Sequence, residues 1–204
     1  MNKKLILIGA SGHGKVIADI ARKNGYSEIA FLDDNEAITQ CAGYAVLDKT
    51  DATIRFSDCD FIVSVGNAKV RQRLLAQLER DGLSIVTLIH PTAVVADSVK
   101  IGKGTVIMAG AVVNPYAVIG QGCIINTCAS VDHDCNIEDY VHVSVGAHVA
   151  GTVRIGKRTW IGIGATISNN VEIIQDCIIG AGAVVISDIV ESGIYVGVPA
   201  KRVK

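Results

Sequence analysis

The sequence has 204 residues, enough for one large domain or two small ones. Half of the residues are apolar and only 19% are charged, so a sizeable core can be buried. The formal net charge of -1 gives no electrostatic reason to expect a nucleic-acid partner.

The chain begins with a short apolar run, Leu5 to Ile8, which glycines follow at once. This run is too short for the apolar part of a signal peptide. No stretch approaches the roughly 18 apolar residues needed to span a membrane. We therefore expect a cytoplasmic protein without a membrane span, whose six cysteines are reduced rather than paired.

The first 90 residues alternate apolar runs with helical patterns. Strands are predicted at 4–9, 28–34, 60–67 and 84–90, and helices at 15–25 and 69–82. Strands that alternate with helices indicate a parallel sheet. We predict an α/β, Rossmann-like domain over residues 1–88.

A glycine-rich loop, GASGHG (residues 9–14), lies between the first strand and the first helix. Its spacing departs from the G-x-G-x-x-G dinucleotide fingerprint, which argues against NAD. Glycines still let a phosphate approach the helix N-terminus. Asp33 and Asp34 close the second strand, where carboxylates can accept hydrogen bonds from a ribose or a base. The pattern favours a nucleotide that carries another group; the alternative is a tight turn beside two solvated acids.

The second half has a six-residue period. Every sixth residue from Ile89 to Val185 is Ile or Val, and the positions four residues later, from Ala93 to Ala183, are all Ala, Val, Thr or Cys. One branched aliphatic residue per hexad is typical of a hexapeptide β-helix, in which three hexads form one triangular coil. We predict such a domain over residues 89–204. Cys123, Cys135 and Cys177 fall on the small-residue position and are expected to pack there rather than bind a metal.

His133 lies off the core position, near a corner of its coil. One coil later, Gly151 would lie beside it, with no side chain and an open backbone N–H. A base beside an exposed amide is the minimum arrangement for acyl transfer, because the base removes a proton while the amide stabilises an oxyanion. The neighbouring Asp134 could orient the ring. The same shift places Trp160 beside His142; the alternative for a lone corner histidine is surface decoration.

With these residues in view, the chain resembles the hexapeptide-repeat nucleotide-sugar acetyltransferases. It is most similar to the bacillosamine-pathway (PglD-type) enzymes, with the sialic-acid (NeuD-type) enzymes as broader relatives. The resemblance runs through GASGHG, FLDD, LIHPTA, HVSVGAHVAG and the ending YVGVPAKRV, and it covers nearly the whole chain. It implies a left-handed parallel β-helix and a homotrimer with acetyl-CoA sites between neighbouring chains.

The resemblance also implies roles for individual residues. The N-terminal domain would hold the UDP part of the substrate. His133 would be the catalytic base, and Asn126 would lie near the sugar. The residues implied for UDP are Ser11, Gly12, His13, Asp33, Asp34 and Gly66. The residues implied for coenzyme A are His142, Gly151, Trp160, Ile163 and Ala181.

Two positions depart from the family pattern. The family base is followed by Glu, whereas here Asp134 follows His133, and its shorter side chain reaches the ring differently. Trp160 replaces a smaller aromatic residue, which changes the shape of the proposed acetyl-CoA pocket.

The sequence therefore predicts an acetyl-CoA-dependent N-acetyltransferase for the 4-amino group of a UDP-linked amino-dideoxy sugar, with no metal. Within the same chemistry, the acceptor could be a sugar hydroxyl, or the carrier could be GDP or dTDP. A γ-carbonic-anhydrase-like metal hydratase is a different alternative, suggested by His133, His142 and His148. A non-catalytic nucleotide-sugar binder is the last alternative.

Overall fold

The structure is a computed structural model that describes residues 4–204. The chain divides into two compact units, one ending at Pro91 and the other beginning at Thr92. Among the described residues, no helix combines the length and apolar character that crossing a membrane requires.

The first unit is built on a six-stranded sheet in the order β3-β4-β2-β1-β5-β6. Its strands are parallel except for the β3–β4 hairpin. The strands are β1 (Lys4–Ile8), β2 (Glu28–Leu32), β3 (Gln40–Cys41), β4 (Tyr44–Asp48), β5 (Asp60–Val63) and β6 (Ser84–Ile85), and β7 (Leu88–Ile89) ends the unit. The central strands β1 and β5 are almost entirely buried, as expected for a parallel sheet with both faces covered.

Two helices and one 3-10 helix accompany this sheet: α1 (Gly12–Lys23), Ala52–Phe56, and α2 (Ala68–Arg80). The start of α2 is capped by Asn67, whose side chain accepts hydrogen bonds from the amides of Lys69 and Val70. Helix α1 begins at Gly12, three residues before the predicted start, so the glycine loop forms part of its first turn.

The N-terminal predictions were wrong in three details. The run 84–90 is not one strand but the two short strands β6 and β7. The strands predicted to reach Asp34 and Asn67 end earlier, at Leu32 and Val63. The β3–β4 hairpin was not predicted.

The second unit is a left-handed parallel β-helix, as predicted. Its two-residue strands are β8 (Val94–Val95), β9 (Lys100–Ile101), β10 (Val106–Ile107), β11 (Val112–Val113), β12 (Val118–Ile119), β13 (Ile124–Ile125), β14 (Ser130–Val131), β15 (Asn136–Ile137), β16 (His142–Val143), β17 (His148–Val149), β18 (Arg154–Ile155), β19 (Trp160–Ile161), β20 (Thr166–Ile167), β21 (Glu172–Ile173), β22 (Ile178–Ile179) and β23 (Val184–Val185). A hairpin of β24 (Ile194–Val196) and β25 (Lys201–Arg202) ends the unit.

The strands stack into three sheets, which we call faces. Face 1 contains β10, β13, β16, β19 and β22; face 2 contains β8, β11, β14, β17, β20 and β23; face 3 contains β9, β12, β15, β18 and β21. Strands that neighbour each other in a face pair residues one coil apart, as with Val131 and Val149. The periodic Ile and Val residues from Ile107 to Val185 point into the bore and are at most 2% exposed.

The small-residue position also behaves as predicted for three cysteines. Cys123, Cys135 and Cys177 are buried at the turns between faces, and burial raises the pKa of the Cys135 and Cys177 thiols. Cys128 differs, because it is exposed and has a φ of 56°.

Candidate active site

His133 lies at the turn that connects face 2 to face 3, directly after β14. Its side chain is 56% exposed, and its Nδ1 lies 2.8 Å from Oδ2 of Asp134. Asp134 has a left-handed φ of 58°, which the tight turn requires, so its carboxylate reaches back to the preceding ring. A carboxylate on Nδ1 fixes the orientation of the imidazole and directs Nε2 to other partners.

Gly151 occupies the same turn one coil later. A Cβ atom built on Gly151 would lie 2.7 Å from both Cε1 and Nε2 of His133, so the ring lies directly against the glycine. The next amide, of Thr152, donates to the carbonyl of His133 at 2.9 Å. Within residues 4–204, the Gly151 N–H donates to no acceptor. The predicted neighbours are therefore together, and the amide of the glycine has no acceptor in the described part of the chain.

Asp132 also holds the His133 turn in place, a role that was not predicted. Its Oδ1 accepts hydrogen bonds from Nδ2 of Asn114 and from the backbone N–H of His133, each at 2.7 Å. These donors, Asn114 first, hold the pKa of the Asp132 carboxyl below its usual value. Asn114 is one coil before Asp132, so the same shift of 18 residues that found Gly151 could have found it.

The electrostatics at this turn favour a protonated base. The hydrogen bond to Asp134 is the largest effect and raises the pKa of His133. Desolvation, the next largest, lowers it, and the charges of Asp132 and Asp134 raise it. A base with a raised pKa is the stronger proton acceptor once it is deprotonated.

A second cluster forms around His142 on face 1. The His142 and Trp160 rings are stacked, with centroids 5.9 Å apart and planes inclined by 10°. Nε2 of His142 lies 3.0 Å from Nδ2 of Asn126. The Trp160 indole N–H donates to Ser144 Oγ, a partner that was not predicted.

Ile163 and Ala181 lie at the turn after face 1, one coil apart, and both are exposed. Val145 occupies the same position one coil earlier, so these residues form an apolar ridge that begins before the predicted pair. The carbonyl oxygens of Val145 and Ile163 accept hydrogen bonds from the amides of Gly164 and Gly182. Trp160, which is 47% exposed, lies on the adjoining face.

The two clusters of the β-helix do not meet within one chain. His133 and Gly151 follow face 2, whereas His142, Trp160 and the ridge belong to face 1 and the turn after it. Asn126 lies with His142 and not with His133. The structure thus separates a base from an aromatic and apolar surface.

The glycines of the glycine loop, together with Gly66 after β5, are of two kinds. A Cβ on Gly14 would lie 2.6 Å from the Gly9 carbonyl oxygen, and Gly9 itself has a φ of 113°, so both glycines are required by the fold. Gly12 and Gly66 differ, because both are exposed and a Cβ there would meet no atom within 4 Å. These two positions leave open space for a ligand.

Ser11 and His13 flank Gly12 at the start of α1. Ser11 is the N-cap residue, and its side chain makes no capping hydrogen bond. Burial, together with the nearby positive charge of Arg71, lowers the pKa of His13 to about 4. Arg71 is itself buried and donates from Nη1 to the carbonyls of Val65 and Gly66, a role that the sequence did not reveal.

The two acids after β2 are both engaged with the protein. Asp33 accepts hydrogen bonds from the amides of Ala10, at 2.7 Å, and Asn35, at 2.9 Å. Oδ1 of Asp34 accepts from the amide and hydroxyl of Thr50, which lowers the pKa of its carboxyl. Asp33 therefore joins the acidic loop to the glycine loop, while Asp34 organises the loop after β4.

The three histidines that suggested a metal site have separate surroundings. His148 Nδ1 lies 2.9 Å from Ser130 Oγ on face 2, whereas His142 is on face 1 and His133 is at the turn with Asp134. Among residues 4–204, no group of three or more His, Cys, Asp or Glu side chains could hold a metal ion.

Comparison with known proteins agrees with both halves of the fold. The PglD N-terminal domain family matches residues 4–78. UDP-N-acetylbacillosamine N-acetyltransferase from Bacillus subtilis is 37% identical over 112 residues, which span 52% of this chain and 52% of that enzyme. The chain thus matches about half the length of this relative.

Two solved structures match over essentially the entire chain. The acetyltransferase domain of PglB from Neisseria gonorrhoeae, solved with acetyl coenzyme A, is 40% identical with a TM-score of 0.95, and 100% of each chain is covered. PerB from Caulobacter crescentus, solved with CoA and GDP-perosamine, is 35% identical with a TM-score of 0.95, covering 100% of this chain and 99% of that one. This chain therefore belongs to the PglD-type family of left-handed β-helix sugar N-acetyltransferases.

Proposed function

We propose that the protein transfers the acetyl group of acetyl-CoA to the 4-amino group of a UDP-linked amino-dideoxy sugar of the bacillosamine type. The observation that carries the proposal is the contact between the His133 ring and Gly151, with Asp134 at Nδ1 of the same ring. A base, its orienting carboxylate and an amide donor are the groups that direct acyl transfer to an amine needs.

In the proposed reaction, the sugar amine attacks the thioester carbonyl carbon directly. His133 Nε2 accepts the proton that the nitrogen loses as the C–N bond forms. The Gly151 N–H donates to the oxyanion of the tetrahedral intermediate. When the C–S bond breaks, the CoA thiolate leaves and takes up the proton that His133 had accepted, so that the products are the amide and free CoA and the base is regenerated.

Asp134 and Asp132 support the base from two sides. Asp134 holds the ring through Nδ1, and its negative charge stabilises the imidazolium that forms. Asp132 holds the backbone N–H of the same residue and is itself held by Asn114. The shorter Asp thus reaches the ring where relatives have Glu, because the left-handed turn at Asp134 brings its carboxylate within 2.8 Å of Nδ1.

We propose that the active enzyme is a homotrimer with acetyl-CoA between neighbouring β-helices. The support is the separation of the two clusters within one chain, since a neighbouring copy could bring its own face 1 to the His133 turn. That region exposes several apolar side chains, a surface that a neighbouring chain could cover. They are Val145, Trp160, Ile163 and Ile178. In this assembly Trp160, His142, Ile163 and Ala181 would contact the cofactor.

The first unit would hold the nucleotide. The open backbone at Gly12 and Gly66, with Ser11 at the N-terminus of α1, suits a diphosphate, because helix N-termini bind anions. His13 would be neutral there at physiological pH, so it would act as a hydrogen-bonding group rather than a positive charge. Asp33 and Asp34 would shape the site through the loops that they hold.

The carrier could instead be GDP, since PerB was solved with GDP-perosamine and is 35% identical to this chain. Both versions share the amine acceptor and the chemistry at His133. They differ only in which base the first unit accepts.

A thiol-release assay with acetyl-CoA tests the proposal. UDP-, GDP- and dTDP-linked 4-amino sugars are compared with hydroxy-sugar analogues, using wild type and His133→Ala. Turnover with a UDP-linked amine, lost in His133→Ala, is the expected result. CoA release only with hydroxyl acceptors, or undiminished release by His133→Ala, would contradict the proposal.

A further inference from the structure

Asn126 lies between a backbone amide and the His142 ring. Its Oδ1 accepts the backbone N–H of Thr127 at 2.8 Å, and its Nδ2 lies 3.0 Å from His142 Nε2. A backbone N–H is always a donor, so the atom of Asn126 that faces it must be the carbonyl oxygen. The orientation of the Asn126 amide is therefore fixed by chemistry, and its NH2 group must face His142.

This orientation has a consequence for the imidazole. An amide NH2 can only donate, so Nε2 of His142 must accept, and an accepting nitrogen carries no hydrogen. The imidazole hydrogen is then on Nδ1. A protonated ring would have N–H groups at both positions and would place two donors against each other at 3.0 Å.

We infer that Asn126 is a positioning residue that holds His142 as the neutral imidazole with its hydrogen on Nδ1. This assigns Asn126 to the His142 and Trp160 cluster rather than to direct contact with the sugar. This neutral form of His142 is a property of the free protein and does not depend on the substrate.

The surroundings of His142 agree with this assignment. The residues in register with it on the neighbouring strands are Ile124 and Trp160, and neither can be charged at neutral pH. The stacked indole would attract an imidazolium, but that attraction is small at exposed sites. His133 has the opposite surroundings, with two carboxylates that favour its protonated form.

The role of the hydrogen bond between Asn126 and His142 rests on the proposed function. If His142 and Trp160 form the acetyl-CoA surface, a neutral His142 leaves His133 as the one histidine of the site that exchanges a proton during turnover. The stacked pair then presents a flat surface of constant charge to the cofactor over the working pH range.

Trp160 provides a direct readout, because it is the single tryptophan of the chain. An imidazolium stacked on an excited indole quenches its fluorescence by accepting an electron, whereas a neutral imidazole quenches far less. Tryptophan fluorescence is recorded between about pH 8 and pH 5, a range that spans the ordinary histidine transition, for wild type and Asn126→Asp. His142→Phe is the control that keeps an aromatic neighbour and removes the titrating group.

The wild type is expected to stay bright through the range where histidines ordinarily titrate. In Asn126→Asp, a carboxylate oxygen faces Nε2 in place of the amide, so quenching should begin at a pH higher by about one unit or more. His142→Phe should show no transition. Quenching of the wild type around pH 6.5, the ordinary histidine midpoint, with the same midpoint in Asn126→Asp, would overturn the inference; so would an unchanged transition in His142→Phe.

Kinetics separate this inference from the proposed function. In Asn126→Asp, the KM for acetyl-CoA should rise as the pH falls through the fluorescence midpoint, while kcat changes less. Circular dichroism verifies that each variant is folded, and Asn126→Ala, which loses the donor without adding charge, should show an intermediate fluorescence midpoint. Absence of acetyl transfer with the expected fluorescence result would reject the proposed function alone.

Discussion

The imidazole of His133 lies against the backbone of Gly151 so closely that even a methyl group cannot fit between them. The atoms that a Cβ on Gly151 would strike, Cε1 and Nε2 at 2.7 Å, are at the far end of the His133 side chain. Because that side chain is more than half exposed, it can swing away without disturbing the coil.

Gly151→Ala should therefore separate activity from stability. The fold should keep its free energy of unfolding within about 1 kcal/mol, since only an exposed side chain has to move. Turnover should fall by about 10²-fold, because the base is displaced from its position. Urea unfolding and a thiol-release assay measure the two effects.

Gly156→Ala is the matched control. Gly156 is also a turn glycine of the β-helix, but a Cβ there would lie 2.4 Å from the amide nitrogen of Gln175 and 2.6 Å from the carbonyl carbon of Ile174. Backbone atoms cannot move aside, so this variant should lose about 2 kcal/mol or more of stability. If Gly151→Ala is as unstable as Gly156→Ala, or as active as wild type, the ring does not lie where the structure has it.

His133→Ala should remove the base and leave the fold intact. We expect kcat to fall by about 10²- to 10⁴-fold, the usual contribution of a general base. The free energy of unfolding and the oligomer mass should change little, because the side chain is more than half exposed and its contacts are with Gly151 and the exposed Asp134. Full acetyl transfer by this variant would show that the base is elsewhere.

Asp134→Asn should shift the pH profile in a defined direction. The Asp134 hydrogen bond is the main reason that the pKa of His133 is raised, and the base works only when deprotonated. Activity in the wild type should therefore rise with pH through a midpoint above the ordinary histidine value. In Asp134→Asn that midpoint should move to lower pH, and the high-pH plateau should fall less than in His133→Ala.

The pH dependence of kcat/KM measures this shift, since it reports the base of the free enzyme. Asp134→Glu restores the family residue and serves as the control, with a midpoint near that of wild type. If the midpoint of the kcat/KM profile does not move in Asp134→Asn, another group causes the loss of activity at low pH. A plateau as low as that of His133→Ala would mean that Asp134 does more than orient the ring.

The six-residue period was enough to predict the β-helix and the His133–Gly151 contact. Both follow from repetition, because residues 18 apart stack when three hexads make one coil. The hydrogen bond between Asn114 and Asp132 obeys the same rule. The contact of Trp160 with Ser144 does not, because it joins residues 16 apart and depends on how far the indole leans along the face.

The N-terminal unit shows where local signals fail. The β3–β4 hairpin turns at Ala42 and Gly43, which have φ values of 51° and 82°. Alanine rarely adopts a left-handed conformation, so the pair lacks the Asn-Gly or Asp-Gly signal of such turns. The GASGHG motif correctly predicted a loop between the first strand and the first helix. It could not predict that the packing requires two of its glycines and leaves one open, since that depends on Phe31, Val65 and other residues distant in sequence.

One residue at the small-residue position of the repeat, Thr159, makes side-chain hydrogen bonds, and we expect these to contribute to the free energy of unfolding. Thr159 is completely buried at the turn after β18, where the same position of the other coils is Thr105, Cys123, Val141 or Cys177. Its hydroxyl donates to the carbonyl of Ile174 at 3.0 Å and accepts from the amide of Cys177 at 3.2 Å, so it connects one coil to the next.

Thr159→Val keeps the size of the side chain but leaves both backbone groups without this partner. We expect a loss of about 1–3 kcal/mol in urea unfolding, whereas Thr166→Val, on the exposed side of face 2, should change stability by no more than about 0.5 kcal/mol. Equal stability of the two variants would mean that Thr159 only fills space, as the sequence pattern alone would suggest.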